Sequence, residues 1–152
     1  MTQIKLKLLP ITKSIFTTNL SIRIYDLNYG NHLGNDSLLS LVHEARVRFL
    51  KKMGFTELDI DGVGILITNL AVNYKAEAFY GDEVQIDIEI GEISKTGFDL
   101  CYALSLKNEE KEIARVLTTC TFFDYQNSKV ARVPQVFLDG MAQLKGRVSP
   151  SV

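Results

Sequence analysis

Between Asp26 and Asn35 the chain carries Asp26, Asn28, Asn31, His32 and Asn35, with Gly30 and Gly34 spaced among them. The segment begins as a strand, turns through a polar loop and runs into an apolar helix. An imidazole such as His32 exchanges protons near neutral pH. An amide such as Asn28 takes no proton, but it orients a water or holds a carbonyl. Free backbone amides point out of a helix start, so Gly34 and Asn35 are candidates for holding a developing oxyanion. The glycines let the backbone approach a ligand closely. The competing reading of the same residues is an ordinary turn followed by an N-cap. Asp26 reads as structural, bonding loop amides or Arg23. Glu44 lies two to three turns into the helix. It is either a general base, raised in pKa by burial near a carbonyl, or the i,i+4 partner of Arg48.

The elements that position these groups follow from periodicity. Ile15–Tyr25 reads as a strand, with Leu20, Ile22 and Ile24 alternating with polar or aromatic residues. A helix is predicted from Asp36 to Met53, where Leu38, Leu41, Val42, Ala45, Phe49 and Met53 recur at helical spacing. Asn35 or Asp36 is the expected N-cap and Gly54 the terminator. Four strands follow, near Ile65–Tyr74, Val84–Ile90, Phe98–Leu106 and Ile113–Tyr125, and Val136–Leu144 reads as a short terminal helix. The connections are short, which favours antiparallel neighbours. The pattern predicts an α+β domain, an antiparallel sheet of about five strands wrapped around one long central helix. One helix cannot cover such a sheet, so a second subunit is expected. Residues 1–13 read as an extension of this single domain.

Bulk properties exclude several classes. A chain of 152 residues suits one domain with a real core. Its 17 basic and 18 acidic residues give a net charge of −1 and no electrostatic case for nucleic acid. Cys101 and Cys120 lie in apolar stretches and read as buried free thiols of a reducing compartment. No zinc-ligand spacing occurs. The start of the chain has no signal-peptide pattern and no run is of membrane-spanning length, so a cytoplasmic protein is expected.

Three stretches carry a resemblance to a family. Tyr25-Asp26-Leu27-Asn28-Tyr29-Gly30-Asn31-His32-Leu33-Gly34-Asn35 is similar to the Asp-x-Asp-x-Asn-x-His-x-Asn-Asn pattern of acyl-ACP thioesterases. Val42-His43-Glu44-Ala45-Arg46 is similar to their Glu-x-Ala-Arg run, and Tyr74 to Val84 to their stretch ending Tyr-Gly-Asp-Glu. In this order the stretches resemble the hotdog-fold thioesterases, including the 4-hydroxybenzoyl-CoA thioesterase group. By position, Asn28 stands where that family usually carries its catalytic aspartate, and Gly30 where it has an asparagine.

The resemblance implies hydrolysis of an acyl-CoA or acyl-ACP thioester, with the carbonyl over the helix N-terminus. The implied catalytic residues are Asn28, His32 and Glu44, and the carbonyl-holding residues are Gly34 and Asn35. Lys75, Lys95 and Thr96 are candidates for meeting coenzyme A phosphates. No separate cofactor or metal is implied, because coenzyme A enters as part of the substrate. The expected assembly is a homodimer or a dimer of dimers, with no nucleic-acid or membrane partner. Asn28 keeps a second reading open, a non-catalytic acyl-thioester binding or sensing protein that kept the fold and lost the base. A hotdog dehydratase is a third and less favoured reading.

Overall fold

The computed structural model describes residues 6–147. Six strands and two α-helices follow one another among the described residues. They are β1 (Phe16–Ser21), α1 (Asn35–Lys52), β2 (Gly64–Tyr74), β3 (Glu83–Ile93), β4 (Gly97–Leu106), β5 (Lys111–Asp124), β6 (Lys129–Val130) and α2 (Gln135–Arg147). The sheet order is β1-β3-β4-β5-β2, with the short β6 also on β5, and every pairing is antiparallel.

The α+β class and the antiparallel sheet are as the periodicity predicts. Val84, Ile86, Ile88 and Ile90 turn to one face of β3 and are buried. Leu100, Tyr102, Leu104 and Leu106 do the same on β4, and Val116, Thr118, Cys120 and Phe122 on β5. α1 buries Leu38, Leu41, Val42, Ala45, Arg46, Phe49 and Leu50. The apolar members of these sets belong to one continuous core. α1 stops where Gly54 takes a φ of +89°, a conformation that favours glycine.

Three expectations change. The first strand ends at Ser21, not Tyr25. Ile22 is buried and bonds the β2–β3 connection through Asp82 and Gly81, after which Ile24–Asp26 winds into a 3₁₀ turn. Ile24, read as a core position, is therefore exposed. The helix N-cap is Gly34, with no capping side chain, in place of Asn35 or Asp36. Cys120 is buried but Cys101 is only half-buried, because it points to the opposite face of the sheet from Tyr102.

The extension crosses that opposite face as far as it is described; residues 1–5 lie outside the described residues. Leu8 N–H donates to Asn73 Oδ1 at 2.7 Å, Arg115 Nη1 donates to the Leu8 carbonyl at 2.9 Å, and Thr12 N–H donates to Glu89 Oε2 at 2.8 Å. These bonds tie it to β2, β5 and β3 in turn.

α2 plugs one end of the fold with Phe137. Its ring lies 4.5 Å from that of Phe98, 5.4 Å from Phe122 and 6.3 Å from Phe55. Phe137 is fully buried. Replacing it leaves a cavity ringed by aromatics that cannot collapse around it. Phe137→Ala is expected to lower unfolding free energy by about 3–5 kcal/mol, read from urea denaturation.

Candidate active site

The polar loop is built on Asp26. Its buried carboxylate accepts the Arg23 backbone N–H at 2.8 Å and Arg23 Nε at 3.2 Å. Burial pushes the Asp26 carboxyl up, but the Arg23 hydrogen bonds outweigh that and hold it below the ordinary aspartate value. The Asp26 carbonyl accepts the Gly34 N–H at 3.0 Å. Between these anchors, Leu27 and Leu33 form a single antiparallel bridge. Asn28 N–H donates to the His32 carbonyl at 2.9 Å, and Asn31 N–H returns to the Asn28 carbonyl at 3.0 Å. Leu33 N–H then donates to the Ala78 carbonyl at 2.8 Å, which joins the loop to the β2–β3 connection.

This junction borders an open cavity of about 410 Å³ lined by Asn28, His32, Asn35, Tyr74, Lys75 and Glu77, with Leu33, Leu38, Ala76 and Ala78 as its apolar part. His32 Nδ1 lies 3.2 Å from the Leu33 carbonyl, which can only accept, so Nδ1 carries the proton and Nε2 is left facing the cavity. Nε2 is 3.9 Å from Glu77 Oε1. Asn28 Oδ1 accepts the Gly30 N–H at 2.9 Å, so its NH₂ group is the part left for another partner. A Cβ on Gly30 would fall 3.2 Å from both Asn28 Oδ1 and His32 Nε2. The two side chains thus flank one small space, which glycine keeps clear.

The start of α1 completes the site. Gly34 was expected to offer its amide, but that N–H is taken by Asp26. The Asn35 and Asp36 amides have no hydrogen-bond acceptor among the described residues, and they open the helix where its dipole favours negative charge. A Cβ at Gly34 would meet Asp36 Oδ1 at 2.7 Å, so a side chain there would push the exposed Asp36 carboxylate aside. Tyr74 Oη donates to the Asn35 carbonyl at 3.2 Å. Burial, and then the Asp36 carboxylate, raise the Tyr74 pKa.

Of the residues singled out from sequence, Asn28, His32, Asn35 and Lys75 come together in this cavity. Glu44 does not. It sits on the exposed side of α1, paired with Arg48 at 3.2 Å, and Arg48 reaches on to Thr18 Oγ1 on β1. Lys95 and Thr96 occupy the β3–β4 turn at the far end of the sheet, where Gly97 pairs with Thr121, whereas Tyr74 pairs with Ala114. Tyr74 and Glu77 were given no role from sequence. Their signal lay in the stretch from Tyr74 to Val84, which carried the resemblance but is not close in sequence to His32.

The Glu-Ala-Arg run on α1 has a packing explanation. Ala45 is fully buried. Arg46, itself buried, donates from Nε to Glu57 Oε2 at 3.2 Å and from Nη1 to Tyr102 Oη at 3.4 Å, while His43 binds the other Glu57 oxygen. Burial pushes the Tyr102 hydroxyl up to about 12 and the Cys120 thiol up to about 11, so neither ionises near neutrality. Among the described residues there is no cluster of three His, Cys, Asp or Glu side chains able to hold a metal. No helix among them is long and apolar enough to cross a membrane.

A model of the thioesterase-like superfamily matches residues 22–141, most of the chain. The chain belongs to that superfamily, and its class of chemistry is that of a thioester hydrolase. Among curated relatives it is similar to the long-chain acyl-CoA thioesterase FadM of Escherichia coli K12, with 23% identity over 113 residues, 74% of this chain and 86% of that protein. Among solved structures it resembles a 1,4-dihydroxy-2-naphthoyl-CoA thioesterase from Synechocystis, with a TM-score of 0.78 and 20% identity over 85% of this chain and 96% of the other. It also resembles a DHNA-CoA thioesterase from Staphylococcus aureus, with a TM-score of 0.75 and 18% identity over 86% and 90% of the two chains. At these identities the structural likeness speaks for the hotdog fold.

The Asp26 anchor has a testable pH signature. Its folded-state value is depressed, so its stabilisation is present above the unfolded value near 4 and is lost as pH falls through the folded value. Asp26→Asn is expected to cost about 1–3 kcal/mol at neutral pH. In urea titrations at stepped pH, the gap to wild type should close on going below about pH 4.

Proposed function

We propose that this protein hydrolyses an acyl-CoA thioester to a free acid and coenzyme A thiol. The observation that carries the reading is that His32 and Asn28 share one cavity with Asn35, whose open amide begins α1. The thioester carbonyl lies over that helix end, with the Asn35 and Asp36 N–H groups holding the oxyanion as it forms. His32 serves as general base toward water through its unprotonated Nε2, and the Asn28 NH₂ group orients the reacting partners. Lys75 on the cavity wall meets a phosphate of coenzyme A. The names of the relatives favour a coenzyme A ester over an acyl-carrier protein.

In this reading α1 is the central helix of a hotdog domain, and the acyl group lies along it. A groove of about 260 Å³ between α1 and β2 supports this, with Leu39, Val42, Ile67 and Leu70 as its apolar lining and Ser40, His43, Arg46 and Thr118 as its polar one. It opens at the free edge of β2. A bulge between Ile67 and Asn69 puts Ile67 and Leu70 on the same side of that strand. Leu66, Ile67 and Leu70 are 39%, 39% and 50% exposed, an apolar edge that invites a partner strand. Two copies paired antiparallel along β2 would bring the Gly64 end of one subunit beside the Tyr74 end of the other. The Lys95–Thr96 turn belongs to the Gly64 end, so a dimer gives it access to the partner's cavity and hence to coenzyme A.

The expected outcome for wild-type protein is thiol release from members of a panel of acyl-CoAs varied in chain length and aromaticity. His32→Ala is expected to lower it by about 10²–10⁴-fold. Asn28, an amide at the position of the family's acid, favours the second reading, a binding protein. Tight binding of the panel without thiol release would establish that reading instead.

The β2 edge predicts a dimer by sedimentation velocity at micromolar concentration. Leu70→Arg should shift it to monomer, because a charge placed on the edge blocks strand pairing. A wild-type protein that stays monomeric would remove the shared site.

A further inference from the structure

We infer that Glu77 is a catalytic carboxylate of this site, acting with His32 on the attacking water; the inference rests on the thioesterase reading. The role left vacant by an amide at position 28 is filled from another element, the connection between β2 and β3. Glu77 lines the same cavity as Asn28, His32 and Asn35. Its neighbour Ala78 is buried and accepts the Leu33 N–H at 2.8 Å, so the backbone that carries Glu77 is fixed against the His32 loop. Among the described residues Glu77 has one ion-pairing partner within 4 Å, the His32 imidazole, and Lys75 makes none with it.

The distance decides what the pair can do. At 3.9 Å, Nε2 and Oε1 are too far apart for a direct hydrogen bond and close enough to share one water. With the proton on Nδ1, Nε2 and Oε1 are both acceptors. A water at about 2.8 Å from each donates one O–H to each, which leaves its lone pairs free to attack. Water oxygen bonds to the thioester carbonyl carbon, and one of its protons passes to Nε2. Glu77 keeps the other O–H and faces the imidazolium as it forms. The oxyanion collapses, the C–S bond breaks, and the thiolate takes the proton back from Nε2. No oxidant, reductant or metal is needed.

A simple alternative is a solvated loop glutamate, since the Glu77 side chain is 64% exposed in the single chain. The two readings differ in the measured outcome. Glu77→Gln is expected to lower kcat about 10²-fold, with KM within about threefold. Glu77→Asp, which keeps the charge on a shorter arm, should lie between wild type and Glu77→Gln. Hydroxylamine, a stronger nucleophile than water, should restore thiol release proportionally more in Glu77→Gln than in wild type, with hydroxamate as the second product. A wild-type kcat in Glu77→Gln, or a loss confined to KM, overturns the inference while leaving the thioesterase reading intact. Wild-type protein that releases no thiol from any acyl-CoA overturns the thioesterase reading, and this inference with it.

Discussion

The site depends on one closure, the two-sided hold that Asp26 keeps on the loop after β1. Its carboxylate binds back to Arg23 and its carbonyl binds forward to Gly34. A buried carboxylate is stable only when its acceptor oxygens are satisfied, and here the backbone and side chain of a residue three positions away satisfy them. The consequence is positional. With both ends of the loop fixed, the His32 imidazole, the Asn28 amide and the first amides of α1 can point into one volume. Glycine at 30 completes the constraint, because a Cβ there would fall 3.2 Å from both Asn28 Oδ1 and His32 Nε2.

A second closure turns the loop into a cavity. The bond from Leu33 to Ala78 joins elements far apart in sequence and brings Tyr74, Lys75 and Glu77 opposite His32. Neither half is a site alone. The loop offers a base and oxyanion donors, and the β2–β3 connection offers a carboxylate, an ammonium and a wall. On the role inferred for Glu77, this division would supply from another element the carboxylate that position 28 lacks. General acid–base work falls to any positioned side chain within hydrogen-bond reach of the reacting water, whichever element delivers it.

Away from the cavity, a polar network holds the helix in register. Buried Arg46 and Tyr102, partly buried Glu57 and exposed His43 form a connected set in which each charge meets an opposite charge or a hydroxyl. Such a set contributes more to fixing the position of α1 than to net stability. The position of α1 matters because its first residue, Asn35, lines the candidate site. The groove beside it and the unpaired edge of β2 continue the same argument outward, since a sheet edge of that character is a surface to be covered.

Much of the fold was legible in the chain itself. Strict alternation in β3 and the i, i+3, i+4 apolar pattern in α1 follow from which faces meet the core, and burial agrees with both. The run from Asp26 to Asn35 named Asn28, His32 and Asn35, because a loop and the helix that follows it are contiguous and their groups stay within reach whatever the rest of the fold does. The end of β1 was not legible. The Leu20, Ile22, Ile24 alternation is cut short by the Asp26–Arg23 bond, a local competition that periodicity does not register. Glu44 and Glu77 show the same limit from opposite sides. Sequence spacing allowed Glu44 to be a base or a partner for Arg48, and only the rotation of α1 about its own axis turned it to the exposed side. Glu77 stands 45 positions beyond His32 in the chain. It meets the imidazole only because strand pairing returns the β2–β3 connection to the loop, and such a contact is decided by the packing of the whole sheet.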